Sequence, residues 1–393
     1  MIASGAWLCV IPPSLALLYF SVEVLFGLRR IASLPLDGRD LDVVVVIPAH
    51  DEASLISGTV QRLRQGVRST TRILVVADNC RDGETAALAR SAGALVIERN
   101  DPSRRGKGFA LDFAREFLAA APPDAVFVLD ADCTLERGSV EATAGRAVAL
   151  GEPVQAVNLL VAPAAASPLV QLSGFAMLVK NLVRARGLYR LGGGVPLFGT
   201  GMGFAWTTFS RLELATAEPV EDLRLALTLA ASGIKVHFDE DTRVTSAAAE
   251  LEDSLGQRRR WEHGFLANAA RYAIPLLTAG VVKHSRHLGA LGAHMLVPPL
   301  ALLYLIAIVA AVPALALAVW TGALGPLALL SGSTAAAVTA TGLAWGLEGR
   351  SELGLASLAR APLYVLWKIP LYLGFFSSRQ KEWNRTRRIN EKI

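Results

Sequence analysis

The chain has 393 residues, is 52% hydrophobic and carries a formal net charge of +5, with a mean hydropathy of +0.41. That hydropathy is high for a soluble protein, and in a membrane protein a modest basic excess points to basic cytoplasmic loops rather than to a nucleic-acid surface. Its three cysteines, Cys9, Cys80 and Cys133, are too few and too scattered for a disulfide framework or a zinc cluster.

Ile2 to Leu28 is almost entirely apolar and ends at Arg29-Arg30. About 20 apolar residues suffice to cross a bilayer. A signal peptide has its basic residues first and a shorter apolar core. The segment therefore reads as a retained anchor, N-terminus outside and arginine pair inside. Glu23, its one charge, lies near the arginine end. After a Pro- and Gly-bearing linker, Leu34 to Arg39, the run Asp42-Val43-Val44-Val45-Val46-Ile47 predicts a strand buried on both faces, stopped by Pro48. Asp51 and Glu52 fall just past its carboxyl end. Ala53 to Gln65 has helical spacing. Arg72 to Ala77 predicts a second strand, followed by Asp78-Asn79-Cys80-Arg81-Asp82. Thr85 to Ala92 predicts a helix and Leu95 to Ile97 a third strand. The glycine-flanked basic loop Arg104-Arg105-Gly106-Lys107-Gly108 precedes a helix over Phe109 to Ala120. Ala125 to Leu129 has the composition of another buried strand, and Asp130-Ala131-Asp132 follows it.

Strands alternating with helices predict an α/β fold with a mostly parallel sheet. Ligands of such sheets bind outside the carboxyl ends of the strands, where the acidic loops lie. Two carboxylates two residues apart can share one hard cation, with phosphate oxygens completing the shell. That chemistry suits a nucleotide diphosphate.

The second half returns to the membrane. Ser167 to Tyr189 has helical apolar periodicity with Lys180, Arg184, Arg186 and Arg190 interleaved, which predicts a helix resting on the membrane surface. Leu288 to Trp320 and Gly322 to Leu347 predict a hairpin of two spans turning near Gly322. Leu353 to Phe376 is apolar but holds Arg360 and Lys368, each costing ~3 kcal/mol at the bilayer centre. The tail Arg379 to Lys392 is strongly basic. We therefore expect an interfacial amphipathic helix there and three spans in all, four being the alternative. The predicted organisation is an anchor over 1–30, a cytoplasmic domain over 40–270, two spans within 271–350, and the interfacial helix with its basic tail over 351–393.

The order Pro48-Ala49-His50-Asp51-Glu52, Ala77-Asp78-Asn79, Gly106-Lys107-Gly108 and Asp130-Ala131-Asp132 resembles that of the family 2 glycosyltransferases, which have the GT-A fold. Val220-Glu221-Asp222-Leu223 is similar to the family's "ED" motif. Gln257-Arg258-Arg259-Arg260-Trp261 fits the Q-x-x-R-W signature of its membrane-bound members, among them ceramide glucosyltransferase and the cellulose and hyaluronan synthases. The resemblance covers roughly residues 42 to 270. Asn79 and Cys80 depart from the commoner Asp-Gly-Ser turn, and Gly83-Glu84 resembles a one-residue insertion there.

The resemblance implies a membrane-bound inverting glycosyltransferase. It would move a sugar from a nucleotide sugar, UDP-linked by preference, to a lipid or lipid-linked saccharide acceptor in bacterial polysaccharide or glycolipid assembly. The alternative is a processive polysaccharide synthase. Its place would be the inner (plasma) membrane, multi-pass, with the catalytic domain cytoplasmic, membrane lipids as partners and no nucleic acid. Asp130 and Asp132 would hold Mg²⁺ or Mn²⁺ against the diphosphate. Asp51, Glu52, Asp78, Lys107, Asp130 and Arg260 would bind the donor. Asp51 and Glu52 also read as helix N-caps, and Lys107 equally as a solvated lysine. Asp222 would be the general base, with helix capping as the other reading. Glu221, Gln257, Trp261 and Gly201 would face the acceptor. Gln257 and Trp261, four apart, share one helix face. Arg258 and Arg259 read better as a basic membrane-surface patch. Gly199-Thr200-Gly201-Met202-Gly203 lacks the spacing of a dinucleotide fingerprint; by the resemblance it lies beneath the acceptor.

Overall fold

In the computed structural model, residues 2–163, 165–248 and 251–377 are described. The valine run forms β1 (Val43–Ala49), and every residue from Val43 to Ile47 is buried, as a strand covered on both faces requires. Pro48 sits inside β1, opposite Val76, rather than ending it. The remaining strands are β2 (Arg72–Asp78), β3 (Leu95–Arg99), β4 (Ala125–Val128), β5 (Cys133–Leu135), β6 (Val154–Val161), β7 (Met202–Ala205) and β8 (His237–Ala247). They make one sheet in the order β3-β2-β1-β4-β7-β6-β8-β5. β3, β2, β1 and β4 run parallel. β7 is antiparallel to both its neighbours, β8 is parallel to β6, and β5 is antiparallel to β8. The parallel half puts the carboxyl ends of β2, β1 and β4 side by side on one edge. A hydrophobic core lies between this sheet and helices Ile56–Gly66 and Ser139–Leu150, and includes Val45, Ile47, Val60, Phe127, Val140 and Ala144.

The chain divides into two compact units. The sheet unit comprises Ile31–Val161 and Gly194–Phe265 among its described residues; the other comprises described residues within 1–30, 162–193 and 266–379. The single domain expected over 40–270 is therefore interrupted: Ala162–Gly193 leaves the sheet unit after β6 and belongs with the apolar helices. The expected surface helix over Ser167 to Tyr189 is corrected with it. Pro168–Leu178 is α-helical, Val179–Arg184 widens into a π-helical turn, and Ala185–Arg190 resumes the α-helix. Arg184 and Arg186 are buried instead of facing headgroups. Arg184 Nη2 lies 2.6 Å from Glu23 Oε2, His294 Nδ1 lies 2.6 Å from Glu23 Oε1, and Arg186 Nη1 lies 2.5 Å from Glu348 Oε1. A charge taken out of water costs several kcal/mol unless it is paired. The pairing explains how Glu23, fully buried within the helix Ile2–Gly27, is tolerated.

Helix Ile2–Gly27 packs against helices Leu300–Thr321 and Gly325–Ala344. The turn between the last two falls at Gly322, as the sequence predicts. The apolar run that precedes them is split: Arg286–Met295 is a separate short helix, and Pro298-Pro299 breaks the chain before Leu300. Among the described residues, four helices are long and apolar enough to cross a membrane: Ser4–Gly27, Leu255–Val282, Leu300–Thr321 and Gly325–Gly349. The second was not among the expected three, because it continues the charged Q-x-x-R-W helix without a break. Leu353 to Phe376 is not one amphipathic helix. It forms three short ones, Leu355–Leu358, Ala361–Trp367 and Ile369–Ser377, interrupted at Arg360 and Lys368. The basic tail Arg379 to Lys392 lies outside the described residues.

Candidate active site

Each acidic loop follows a parallel strand, so residues about 30 to 50 positions apart arrive on one edge by strand geometry alone. The loops after β1 and β2 are laced together. His50 Nδ1 lies 2.7 Å from the Asp78 carbonyl oxygen. Asp51, in the left-handed region at φ 54°, accepts the backbone N–H groups of Arg81 and Asp82 at 2.6 and 3.1 Å. Glu52 N–H donates to Thr85 Oγ1 at 2.8 Å, and Asp82 accepts from the N–H groups of Glu84 and Thr85 at the start of helix Thr85–Ser91. The capping alternative for Asp51 and Glu52 is thus set aside: helix Ile56–Gly66 has Leu55 at its N-cap with no side-chain bond, and Asp51 instead fixes the neighbouring loop. Asp78 accepts from Arg99 Nη1 at 2.6 Å and from Asn79 Nδ2 at 3.1 Å. Arg99 also lies over the Phe109 ring, 5.5 Å from its centroid.

The second half of the site is built around Lys107. Its helix begins two residues before the expected start, at Lys107 itself. Gly106 precedes it at φ 132°, a conformation that side chains rarely adopt. A β-carbon on Gly108 would fall 2.4 Å from the Leu214 carbonyl oxygen. The glycines of Gly106-Lys107-Gly108 are therefore there to aim the lysine. Lys107 Nζ pairs with Asp130 Oδ1 and donates to the Gly199 carbonyl at 2.6 Å. Its side chain is 12% exposed, against 38% for Asp130, so the solvated alternative falls. Burial pushes its pKa down, but Asp130, Glu221 and Asp222 more than offset that and hold the ammonium charged, above the usual lysine range.

Asp222 lies across Gly199 from this pair: a β-carbon on Gly199 would be 3.1 Å from Asp222 Oδ2 and 3.8 Å from Lys107 Nζ. Asp222 Oδ1 accepts the Leu223 N–H at 2.8 Å, and Oδ2 lies on the Gly199 side. Glu221, beside it at the start of helix Glu221–Ala231, is pushed up to about 7 by burial, with the Asp222 charge adding and Lys107 opposing. The Q-x-x-R-W helix reaches the same place. Gln257, Arg260, Trp261 and Gly264 share one helical face by their spacing. A β-carbon on Gly264 would fall 1.9 Å from Cγ2 of Val220, the residue before Glu221.

Gly201 is a correction. It is buried, and a β-carbon there would lie 2.7 Å from Val244 Cγ2. Its N–H donates to the Val128 carbonyl and its own carbonyl accepts from Ala156 N–H, both at 2.9 Å. No room is left for an acceptor; Gly201 lets β7 meet β4 and β6, and Gly199 is the glycine beside the charged groups. Three residues escaped the sequence reading. Thr200 Oγ1 accepts the Asp130 N–H at 3.0 Å. Fully buried Gln155 donates from Nε2 to the Thr200 carbonyl and accepts at Oε1 from the Phe198 N–H, both at 2.8 Å. Arg99 secures Asp78. The signal for Gln155 was a lone amide in the otherwise apolar start of β6, since a buried amide must find partners.

Asp130 and Asp132 fit a hard divalent cation. Their carboxylate oxygens and Cys133 Sγ lie within 4.8 Å of one another, and two oxygen donors beside a strand end suit Mg²⁺ or Mn²⁺. Cys133 is buried, and its thiol points to Asp132 Oδ1 at 3.5 Å. A second cluster, Asp51, Cys80 and Asp82, fits less well. Both carboxylates are committed to backbone N–H groups, and burial pushes the Cys80 thiol up to about 11.

Three kinds of comparison bear on this arrangement. The family model described as glycosyl transferase family group 2 matches residues 125–337, and that described as glycosyl transferase family 2 matches residues 44–161. No curated protein matches the chain in sequence. Among solved structures, the chain resembles the mannosyltransferase PcManGT from Pyrobaculum calidifontis, solved with GDP-Man and Mn²⁺; the two are 18% identical, with a TM-score of 0.58 over 94% of this chain and 100% of that one. Glucosyl-3-phosphoglycerate synthase from Mycobacterium tuberculosis, solved with Mn²⁺, UDP and its product, is 19% identical with a TM-score of 0.39 over 59% of this chain and 80% of that one. The first likeness concerns the fold, and the second is too slight to carry an argument.

Proposed function

The chain belongs to glycosyl transferase family group 2 and is a glycosyltransferase, and from that premise we propose that it is an inverting, membrane-bound enzyme that transfers a sugar from a nucleoside diphosphate to a lipid-linked acceptor, in bacterial polysaccharide or glycolipid assembly. The observation that carries this reading is the meeting of Asp130, Lys107, Gly199 and Asp222 at the carboxyl edge of the sheet. It joins a leaving-group site to a base site across one glycine. The four long apolar helices support the membrane-bound part, with the sheet unit on the cytoplasmic side and the inner membrane as the place.

The reaction forms one bond and breaks one. An acceptor hydroxyl oxygen attacks the anomeric carbon, and the bond from that carbon to the diphosphate oxygen breaks, the electron pair leaving with the diphosphate. The hydroxyl proton goes to the Asp222 carboxylate, whose Oδ2 is the oxygen nearer Gly199. Direct displacement with inversion is what the resemblance to the family implies for a single carboxylate base. Asp130 and Asp132 would hold Mg²⁺ or Mn²⁺, which when bound supplies Lewis-acid stabilisation to the departing diphosphate. Lys107 and Arg260 add fixed positive charge to the same oxygens, where preorganised charge is worth most. Asp51, Glu52 and Asp78 line the nucleoside side, Arg99 orienting the Asp78 carboxylate. Glu221, Gln257 and Trp261 face the acceptor.

The test is to incubate the purified full-length protein with a panel of nucleotide sugars, with and without lipid acceptors, and to score nucleotide release. The reading predicts release from one donor that rises several-fold with a polyprenyl-phosphate-linked or glycolipid acceptor. Release indifferent to every lipid acceptor would overturn the acceptor class.

A further inference from the structure

Lys107 places an internal cation on Asp130, one of the two carboxylates that would hold a metal. We propose that Lys107 is a built-in counter-ion: it keeps a divalent cation off Asp130 until a diphosphate arrives to take over the ammonium. The inference rests on the donor-site reading above.

The lysine is held from both ends. Gly106 and Gly108 fix where its helix begins, and the Gly199 carbonyl receives its ammonium at 2.6 Å. Its partner is held as well, because the Asp130 N–H is tied to Thr200 Oγ1, whose own loop is clamped by Gln155. Gly199 offers only a neutral oxygen, so the positive charge is balanced by the Asp130 carboxylate in direct contact and by Glu221 and Asp222 nearby. A bare divalent cation approaching Asp130 and Asp132 meets this ammonium as a like charge. To bind fully it must displace the ammonium and leave it largely buried, with a carbonyl as its close partner, which is costly. A diphosphate changes the balance. Its anionic oxygens would accept hydrogen bonds from the ammonium, so Asp130 would be free to join Asp132 in holding the cation without either positive charge being stranded. Cation and diphosphate then bind cooperatively, and the coupling is reciprocal.

The experiment measures Mn²⁺ binding to the full-length protein in detergent, by the electron paramagnetic resonance of free Mn²⁺. It is run without nucleotide and then with saturating UDP and, in parallel, GDP. For the native protein, one of the two diphosphates should tighten Mn²⁺ binding at least about tenfold, the scale on which one neighbouring charge shifts a carboxylate equilibrium. Lys107→Met keeps an unbranched stem and removes the charge. It should tighten Mn²⁺ binding without nucleotide by a similar factor and shrink the gain from the diphosphate. Lys107→Arg, which keeps the charge, should remain weak for Mn²⁺ alone, separating charge from packing. Equal Mn²⁺ affinity of the native protein with and without diphosphate overturns the inference, as does unchanged or weaker binding of Mn²⁺ alone by Lys107→Met. Absence of Mn²⁺ binding under every condition would remove the metal from the donor-site reading, and this inference with it.

Discussion

Gly264 and Val220 are so close that any side chain on the glycine would overlap the valine, the added β-carbon falling 1.9 Å from Cγ2. Gly264 is four residues past Arg260, and Val220 immediately precedes Glu221-Asp222. The close fit of Gly264 against the Val220 side chain therefore brings the arginine helix up to the segment that carries the proposed base. Gly264→Ala should force the two apart at a cost of about 1–3 kcal/mol, the usual penalty of overpacking. Transfer should fall more than thermal stability does, because a small displacement of catalytic groups is expensive. Normal kinetics for Gly264→Ala, compared with native protein by steady-state assay, would show that the contact does not govern the site.

The raised pKa of Glu221 has a definite sign. Its folded value of about 7 lies above its ordinary 4.5, so between those values the folded state holds more protons than the unfolded one. Stability from this group is present at low pH and falls as pH rises through that window. Thermal midpoints recorded from pH 4.5 to 7.5 should show this decline. Glu221→Gln, which cannot ionise, should flatten it. A profile identical in the variant would place the pH dependence elsewhere.

Glu23 accepts from both Arg184 and His294 inside the apolar unit. Glu23→Ala leaves buried Arg184 without its carboxylate and should destabilise by about 3–5 kcal/mol, the cost of breaking a buried pair. Replacing both Glu23 and Arg184 with apolar residues of matching volume should recover much of that. Denaturant unfolding in detergent measures both. A silent Glu23→Ala would mean that solvent or lipid headgroups already reach the site.

The valine run, the acidic loops and the glycine-flanked lysine were legible because each has a local cause: strand burial, strand-end polarity, and a turn that needs glycine. The partnerships were not. Nothing at spacings of 23 and 92 residues announces that Lys107 joins Asp130 to Gly199. Arg184 and Arg186 read as surface charges because periodicity reports which face a residue occupies, not what covers it; Glu23 and Glu348, 161 and 162 residues away, supplied the cover. Gly201 was misplaced for the same reason, since a glycine left open for a ligand and one filled by Val244 look identical in sequence. The fourth long apolar helix was hidden because its polar start and apolar continuation were assigned to different domains.

The most direct test of the account is Asp222→Asn. Asparagine keeps the side chain's size, and its oxygen can still accept the Leu223 N–H now bound at 2.8 Å, but it cannot take a proton at neutral pH. General-base catalysis is worth about 10²–10⁴-fold. Transfer by the variant should fall by about that factor in single-turnover assays, with donor affinity and Mn²⁺ affinity near those of the native protein. Near-native transfer would contradict the assignment of Asp222 as the base, and a parallel loss of donor binding would make it part of the diphosphate site instead.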